Sequence, residues 1–216
     1  MRITWYGHSC FRLYEPGMAS VVTDPFDHTV AGYHPLHLKA DIVTVSHNSA
    51  GHNYLQAVKG NPFVINGPGE YEIGDVFVTG IDSGGEKRTA GRQNTLYVFH
   101  FHHLILAHLG NLDRIPSQAE IEEIGPVHIV MIPIGGGSCL NASRAVEVIS
   151  LLEPNIVVPM HYATSACKLE LDPIQKFLKE MGITEIETQS ALEITTNIAQ
   201  LPTETQVVVL DYLQND

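Results

Sequence analysis

Residues 41–53, DIVTVSHNSAGHN, constrain this chain more than any other stretch. Ile42, Val43 and Val45 form a β-branched apolar run, the pattern of a buried strand. The run stops at Ser46, and the small polar residues after it cannot continue a strand. The strand therefore delivers two imidazoles, His47 and His52, to an irregular loop. Imidazole is a common metal ligand, and a rigid strand fixes where it sits.

Around this stretch, strands come in runs with helices between or after them. Residues 2–6 and 10–14 read as strands flanking Gly7-His8-Ser9, and 19–23 as a third that ends at Asp24-Pro25-Phe26. Residues 27–39 read as a loop with His28, His34 and His37 facing solvent. A short helix is expected over 54–59, a strand over 62–65, and a β-hairpin over 66–81 turning at Gly74-Asp75. Residues 82–93 are Gly-rich and polar, hence a loop. A second hairpin, 94–100 with 104–108, exposes His100, His102 and His103 around its turn.

Ser117 and Glu120 make a capping box for a short helix up to residue 124. A buried strand over 127–132 runs into PIGGGS, whose glycines are a weak phosphate signal because no Lys accompanies them. Asn141 caps a helix over 142–152 with Ala145, Val148, Ile149 and Leu152 on one face. A strand over 155–160 leads to His161. Asp172-Pro173 starts a last helix that Gly182 ends, and 191–195 and 206–212 read as closing strands. By pattern alone this is an α/β or α+β layered fold, with one domain over residues 1–216.

SHNSAGHN resembles the signature loop of the metallo-β-lactamase superfamily, H-x-H-x-D-H at a strand end. His47 and His52 stand at its first and last His, Ser49 at the middle His and Gly51 at the Asp. The opening ITWYGHSCFRL…VVTDPF and the segment GPGEYEI resemble the ascorbate-phosphate-lactonase-like branch of that superfamily. HLGN, ending at Asn111, is similar to the family's HLGD, whose Asp bridges two metals. PMHY is similar to the segment that gives the last ligand, here His161. The resemblance implies the αββα sandwich and metal-dependent hydrolysis.

Carried over position by position, the resemblance keeps His47, His52 and His161 as metal ligands. His108, at the end of an apolar strand, is a substitute ligand or an outer-shell group on one reading and a partly buried structural histidine on the favoured one, and the resemblance puts His8, Asp24, Ser49 and Asn111 in the pocket. In the family, His47 serves one ion, and His52 with His161 the other. A further ligand His belongs shortly after the first hairpin, yet no His occurs between His52 and His100. Since each ion takes about three protein ligands, the expectation is a hydrolase-like protein with an eroded dinuclear site. Such a protein is weakly active or inactive, and binds zinc or manganese substoichiometrically or not at all. The alternative is a mononuclear hydrolase of a small ester, lactone or phosphoester using His47, His52, His161 and His108. Ranked last is metal-free nucleophilic hydrolysis by Ser49 or Ser138 with a nearby His, since the chain has no G-x-S-x-G elbow.

Charge narrows the partners. The net charge is −12, with 12 Lys and Arg against 24 Asp and Glu and no basic cluster, which argues against nucleic acid. A small-molecule ligand or substrate is expected instead. No apolar run nears a membrane span and no signal-peptide pattern opens the chain, so the expectation is a cytoplasmic protein without membrane contact. Cys10, Cys139 and Cys167 show no C-x-x-C pair and fit reduced thiols. The resemblance leaves a homo-oligomer open, since relatives in this branch can assemble into oligomers, and no exposed heptad or obvious apolar stripe in this chain decides that question.

Overall fold

The structure, a computed structural model, describes residues 1–83 and 93–213. Most of the expected Gly-rich loop, 84–92, lies outside the described residues. β1 (Arg2–Gly7) and β2 (Cys10–Tyr14) pair antiparallel across a tight turn. β3 (Val21–Thr23) follows antiparallel to β2. After α1 (His28–Ala31) and β4 (Leu38–Lys39), β5 (Ile42–Thr44) runs parallel to β3. β6 (Val58–Lys59) pairs with β4, and β7 (Phe63–Ile65) lies parallel to β5.

The chain then builds a second sheet. β8 (Gly69–Ile73), β9 (Val76–Asp82), β10 (Thr95–Phe101) and β11 (Leu104–His108) form an antiparallel meander. Helices α2 (Gln118–Ile124) and α3 (Ala142–Leu152) then carry the chain across to β12 (Ile129–Pro133) and β13 (Ile156–Met160), which continue in parallel. Parallel neighbours need such crossovers. After α4 (Ile174–Glu180) come β14 (Thr188–Gln189), β15 (Leu192–Glu193), β16 (Gln206–Val207) and β17 (Val209–Leu210). The six-stranded sheet has the order β15-β1-β2-β3-β5-β7, and the seven-stranded sheet β16-β13-β12-β11-β10-β9-β8.

One apolar core draws on both sheets, with Trp5, Phe11, Leu13 and Ile42 from the first and Tyr97, Phe99, Leu106 and Val130 from the second. Tyr97 can be buried there because its hydroxyl reaches the carbonyls of Val45 (2.8 Å) and Ile65 (3.1 Å). That contact ties the end of β5, where the histidine loop begins, to the second sheet. α3 buries the face read from its sequence, Ala145, Val148, Ile149 and Leu152. This is the layered α/β sandwich that the sequence predicts. No helix among the described residues is long and apolar enough to cross a membrane.

Local chemistry explains both agreements and departures. The Ser117–Glu120 capping box forms, and Asn141 caps α3 by accepting from the Arg144 N–H at 3.0 Å. Residues 27–39 are not simply a loop. Asp27 accepts from the Thr29 N–H at 2.8 Å and caps the single turn of α1. Ala31, Tyr33, Leu36 and Leu38 then close a second core with Phe26 and Val43. One turn is too short to show periodicity, so only the Asp27 cap signalled it.

Residues 54–59 hold a 3-10 turn, Leu55–Ala57, running straight into β6 rather than a helix. Pro173 is the extended N-cap of α4, not its first helical residue, and Asp172 pairs with Lys176 instead of capping. The last expected strand divides at Val208, with β16 pairing to β13 and β17 to β14.

Candidate metal centre

Four chain turns meet at one end of the sandwich. His8 lies in the β1–β2 turn, Asp24 just after β3, His52 in the loop after β5, and His161 just after β13. His8 (φ 51°), Asp24 (φ 38°) and His161 (φ 55°) hold the left-handed conformation. For a residue with a side chain this costs roughly 1–2 kcal/mol each. Such strain persists only where the surroundings enforce it, and it gathers at functional sites.

Here the enforcement is visible. The His8 carbonyl accepts from the Trp5 indole N–H and from the His161 N–H, both at 3.0 Å. Gly135, in the PIGGGS stretch, lets its strand end approach His161, since a Cβ there would collide with the His161 carbonyl oxygen. Gly135 thus serves this close approach.

His8, His52 and His161 are all buried, and each offers a ring nitrogen within 4.8 Å of the other two. His8 Nε2 and His52 Nε2 are 3.1 Å apart. Two nitrogens bound to one tetrahedral zinc at its usual bond length would lie about 3.3 Å apart, so this spacing suits a shared ion. The Nδ1 atoms of His8 and His161 are buried without a hydrogen-bond partner. Buried polar atoms seldom go unpaired, and a shared ion would pair one nitrogen of each ring; His8 faces His52 through Nε2, so its Nδ1 is not the atom that ion would take.

Asp24 sits behind this trio. Its carboxylate accepts from the Ser46 N–H (2.7 Å), the Ser46 hydroxyl (2.7 Å) and His52 Nδ1 (2.8 Å). That bond places the His52 proton on Nδ1 and turns the Nε2 lone pair toward His8. A carboxylate behind a ligating imidazole is the usual support of a metal site. The donor set therefore fits a divalent cation such as zinc: three neutral imidazoles, one of them oriented, with a fourth position open.

The other histidines singled out from the sequence lie outside the trio. The His47 ring is 4.0 Å from that of His52, but its Nε2 meets the Ser49 hydroxyl at 3.1 Å and its Nδ1 the Ser46 hydroxyl at 3.3 Å. His108, fully buried at the end of β11, gives Nε2 to the Ser9 carbonyl at 2.9 Å and receives the Gly110 N–H on Nδ1 at 3.3 Å. Both its nitrogens are thus engaged by backbone. Asn111 is half-buried, with its N–H on Asn94 Oδ1 at 2.8 Å and its own Oδ1 unpartnered. A Cβ on Gly51 would lie 3.0 Å from His8 Nε2, so this glycine leaves room beside the trio. His8, placed in the pocket but given no ligand role by the sequence, completes the cluster.

Burial drives the His8, His52 and His161 pKa values well below the ordinary imidazole value, and neighbouring imidazoles push the same way. The unfolded chain would take up these protons near pH 6.5, whereas the folded chain resists to lower pH. The stability is therefore present above about pH 6.5 and is lost as pH falls below it. Asp24, raised by burial, acts with the opposite sign, one group against three. Metal-free protein should melt at a lower temperature near pH 5 than near pH 7.5, and His161→Asn should shrink the difference. A melting temperature flat across that interval would contradict this account.

Fold and centre together define a class. A model described as "Beta-lactamase superfamily domain" matches residues 2–161, and the chain belongs to that family. A solved structure from Thermotoga maritima, described as a candidate Zn-dependent hydrolase of the metallo-beta-lactamase superfamily, is 35% identical. It covers 97% of each chain with a TM-score of 0.79. A UPF0173 protein from Pyrococcus abyssi is 29% identical over 185 residues, 76% of this chain and 84% of its own. A relative from Natranaerobius thermophilus, named a UPF0173 metal-dependent hydrolase, is 29% identical over 197 residues with the same coverage.

Proposed function

We propose that this chain is a mononuclear metal-dependent hydrolase whose ion is held by His8, His52 and His161. The convergence of these three buried imidazoles carries the reading. A bound zinc or manganese ion would supply Lewis-acid polarisation and a water acidic enough to react at neutral pH.

The chain's own residues supply the framework. Asp24 holds the His52 tautomer, and the His8–His161 backbone bond locks two ligand-bearing turns together. Burial keeps all three imidazoles neutral and ready to ligate. Ser49, Gly51 and Asn111 stand where the family holds further ligands, which supports one ion rather than two. Those same departures favour weak activity or none. His8 favours the active reading, because it completes a three-donor set that His52 and His161 alone would lack.

On this reading the substrate is a small ester, lactone or phosphoester and the protein acts in the cytoplasm. The acidic balance of 24 Asp and Glu against 12 Lys and Arg supports a partner other than nucleic acid. The test is turnover of a nitrophenyl ester, a lactone and a nitrophenyl phosphodiester by chelator-treated protein, with and without added zinc or manganese. One substrate class should regain activity by about tenfold or more, saturating near one ion per chain. Hydrolysis indifferent to the chelator, or absent from loaded protein, would reject the proposal.

A further inference from the structure

We propose that Ser49 is a nucleophile with His47 as its base, an acyl-transfer site for small carboxylic esters that uses none of the three clustered imidazoles. The Ser49 hydroxyl lies 3.1 Å from His47 Nε2. His47 Nδ1 lies 3.3 Å from the Ser46 hydroxyl, which lies 2.7 Å from Asp24 Oδ2. The hydrogens along this chain can run only one way. The Ser46 hydroxyl donates its one hydrogen to Asp24 Oδ2. Ser46 then accepts from His47 Nδ1–H, which leaves a lone pair on Nε2 facing Ser49. That is the polarity a hydroxyl nucleophile needs: a base in contact, held in its tautomer by a third group. Ser46 and Asp24 act here as positioning residues, because they work through His47.

The surroundings fit a reacting site. His47 and Ser49 are half-buried, so a ligand can reach them. His47, though not Ser49 itself, lines an adjoining cleft of about 480 Å³ with Ser46, Asn48, Asn53, Asn66 and Thr95. That volume suits a small molecule, and its amides suit a polar one. The Ala50 N–H, directly after the nucleophile, donates to no group among the described residues, and on this proposal it serves the oxyanion. A side chain at Gly51 would begin 3.9 Å from the Ser49 hydroxyl, so the glycine also keeps this approach open.

The chemistry balances with water as the sole co-reactant. Ser49 Oγ bonds to the ester carbonyl carbon and its proton passes to His47 Nε2. The bond to the alcohol oxygen breaks, and the alcohol leaves with that proton. Water then attacks the acyl-serine, giving a proton through His47 back to Ser49 Oγ and releasing the acid.

The test uses chelator-stripped full-length protein and a fluorophosphonate probe, which phosphonylates an activated serine and expels fluoride. One label per chain should appear, and peptide mapping should place it on Ser49. The label should be absent from Ser49→Ala and unchanged in Ser138→Ala, whose serine is exposed in the glycine stretch. His47→Gln, shown to be folded by its melting curve, should label about 100-fold more slowly or worse. No label on Ser49, a label that persists in Ser49→Ala, or a wild-type rate in His47→Gln overturns the proposal. Should Ser49→Ala fail to fold, the mapping and the His47→Gln rate still decide. Because the protein is stripped, success or failure here is independent of whether the imidazole trio binds an ion.

Discussion

In His8→Asn and His161→Asn the protein should lose its bound ion, while His34→Ala, at an exposed position, should keep it. Asparagine is the informative replacement because both positions hold a positive φ, 51° and 55°, which asparagine tolerates better than most residues. The imidazole is removed with little added backbone strain. Losing one of three donors should cost more than the 10–100-fold that removal of an outer partner typically costs. Competition against a zinc-binding dye would measure it. Wild-type affinity in both variants would place the ion elsewhere or nowhere.

Asp24→Ala should be the most destabilising single change at this end of the molecule. Asp24 is fully buried and accepts three hydrogen bonds, two from Ser46 and one from His52. Its loss strands those buried donors, at about 1–3 kcal/mol for each group left unsatisfied. Relief of a buried carboxylate offsets part of this, since burial already raises its pKa. A net loss of about 3 kcal/mol is expected, which lowers the melting temperature of a domain this size by roughly 6–12 °C. Metal affinity should fall as well, because nothing would then hold the His52 tautomer. Thermal denaturation of Asp24→Ala beside Ser46→Ala checks the ordering, with Ser46→Ala the milder. A melting temperature equal to wild type would mean that Asp24 does not organise the site.

Local signals in the sequence carried far. The Ser117–Glu120 box, the Asn141 cap and the apolar face of α3 are set by residues a few positions apart, and all appear as read. Segments set by distant packing were less legible. The 27–39 stretch closes a core with residues such as Val43 and Val58 that come later in the chain, so its polar composition read as loop.

The centre divides the same way. His52 and His161 stand out because they match the last His of the signature loop and the His of the PMHY segment that the resemblance supplies. The part played by His8 depends on a backbone bond to His161 and on three left-handed residues, none of which leaves a mark in spacing. His47 read as a ligand by its place in the loop pattern. Its partners in the structure are Ser49, which departs from that pattern, and Ser46, which precedes it.

The most direct test of the central claim is metal content by inductively coupled plasma mass spectrometry. It should be run on protein purified without a metal-affinity tag, before and after dialysis with zinc or manganese. About one ion per chain should survive dialysis, as a single three-imidazole site requires, and it should be lost in His8→Asn. Two ions per chain would contradict the mononuclear reading. Metal far below stoichiometry in both samples would mean that the three imidazoles are only packed side chains.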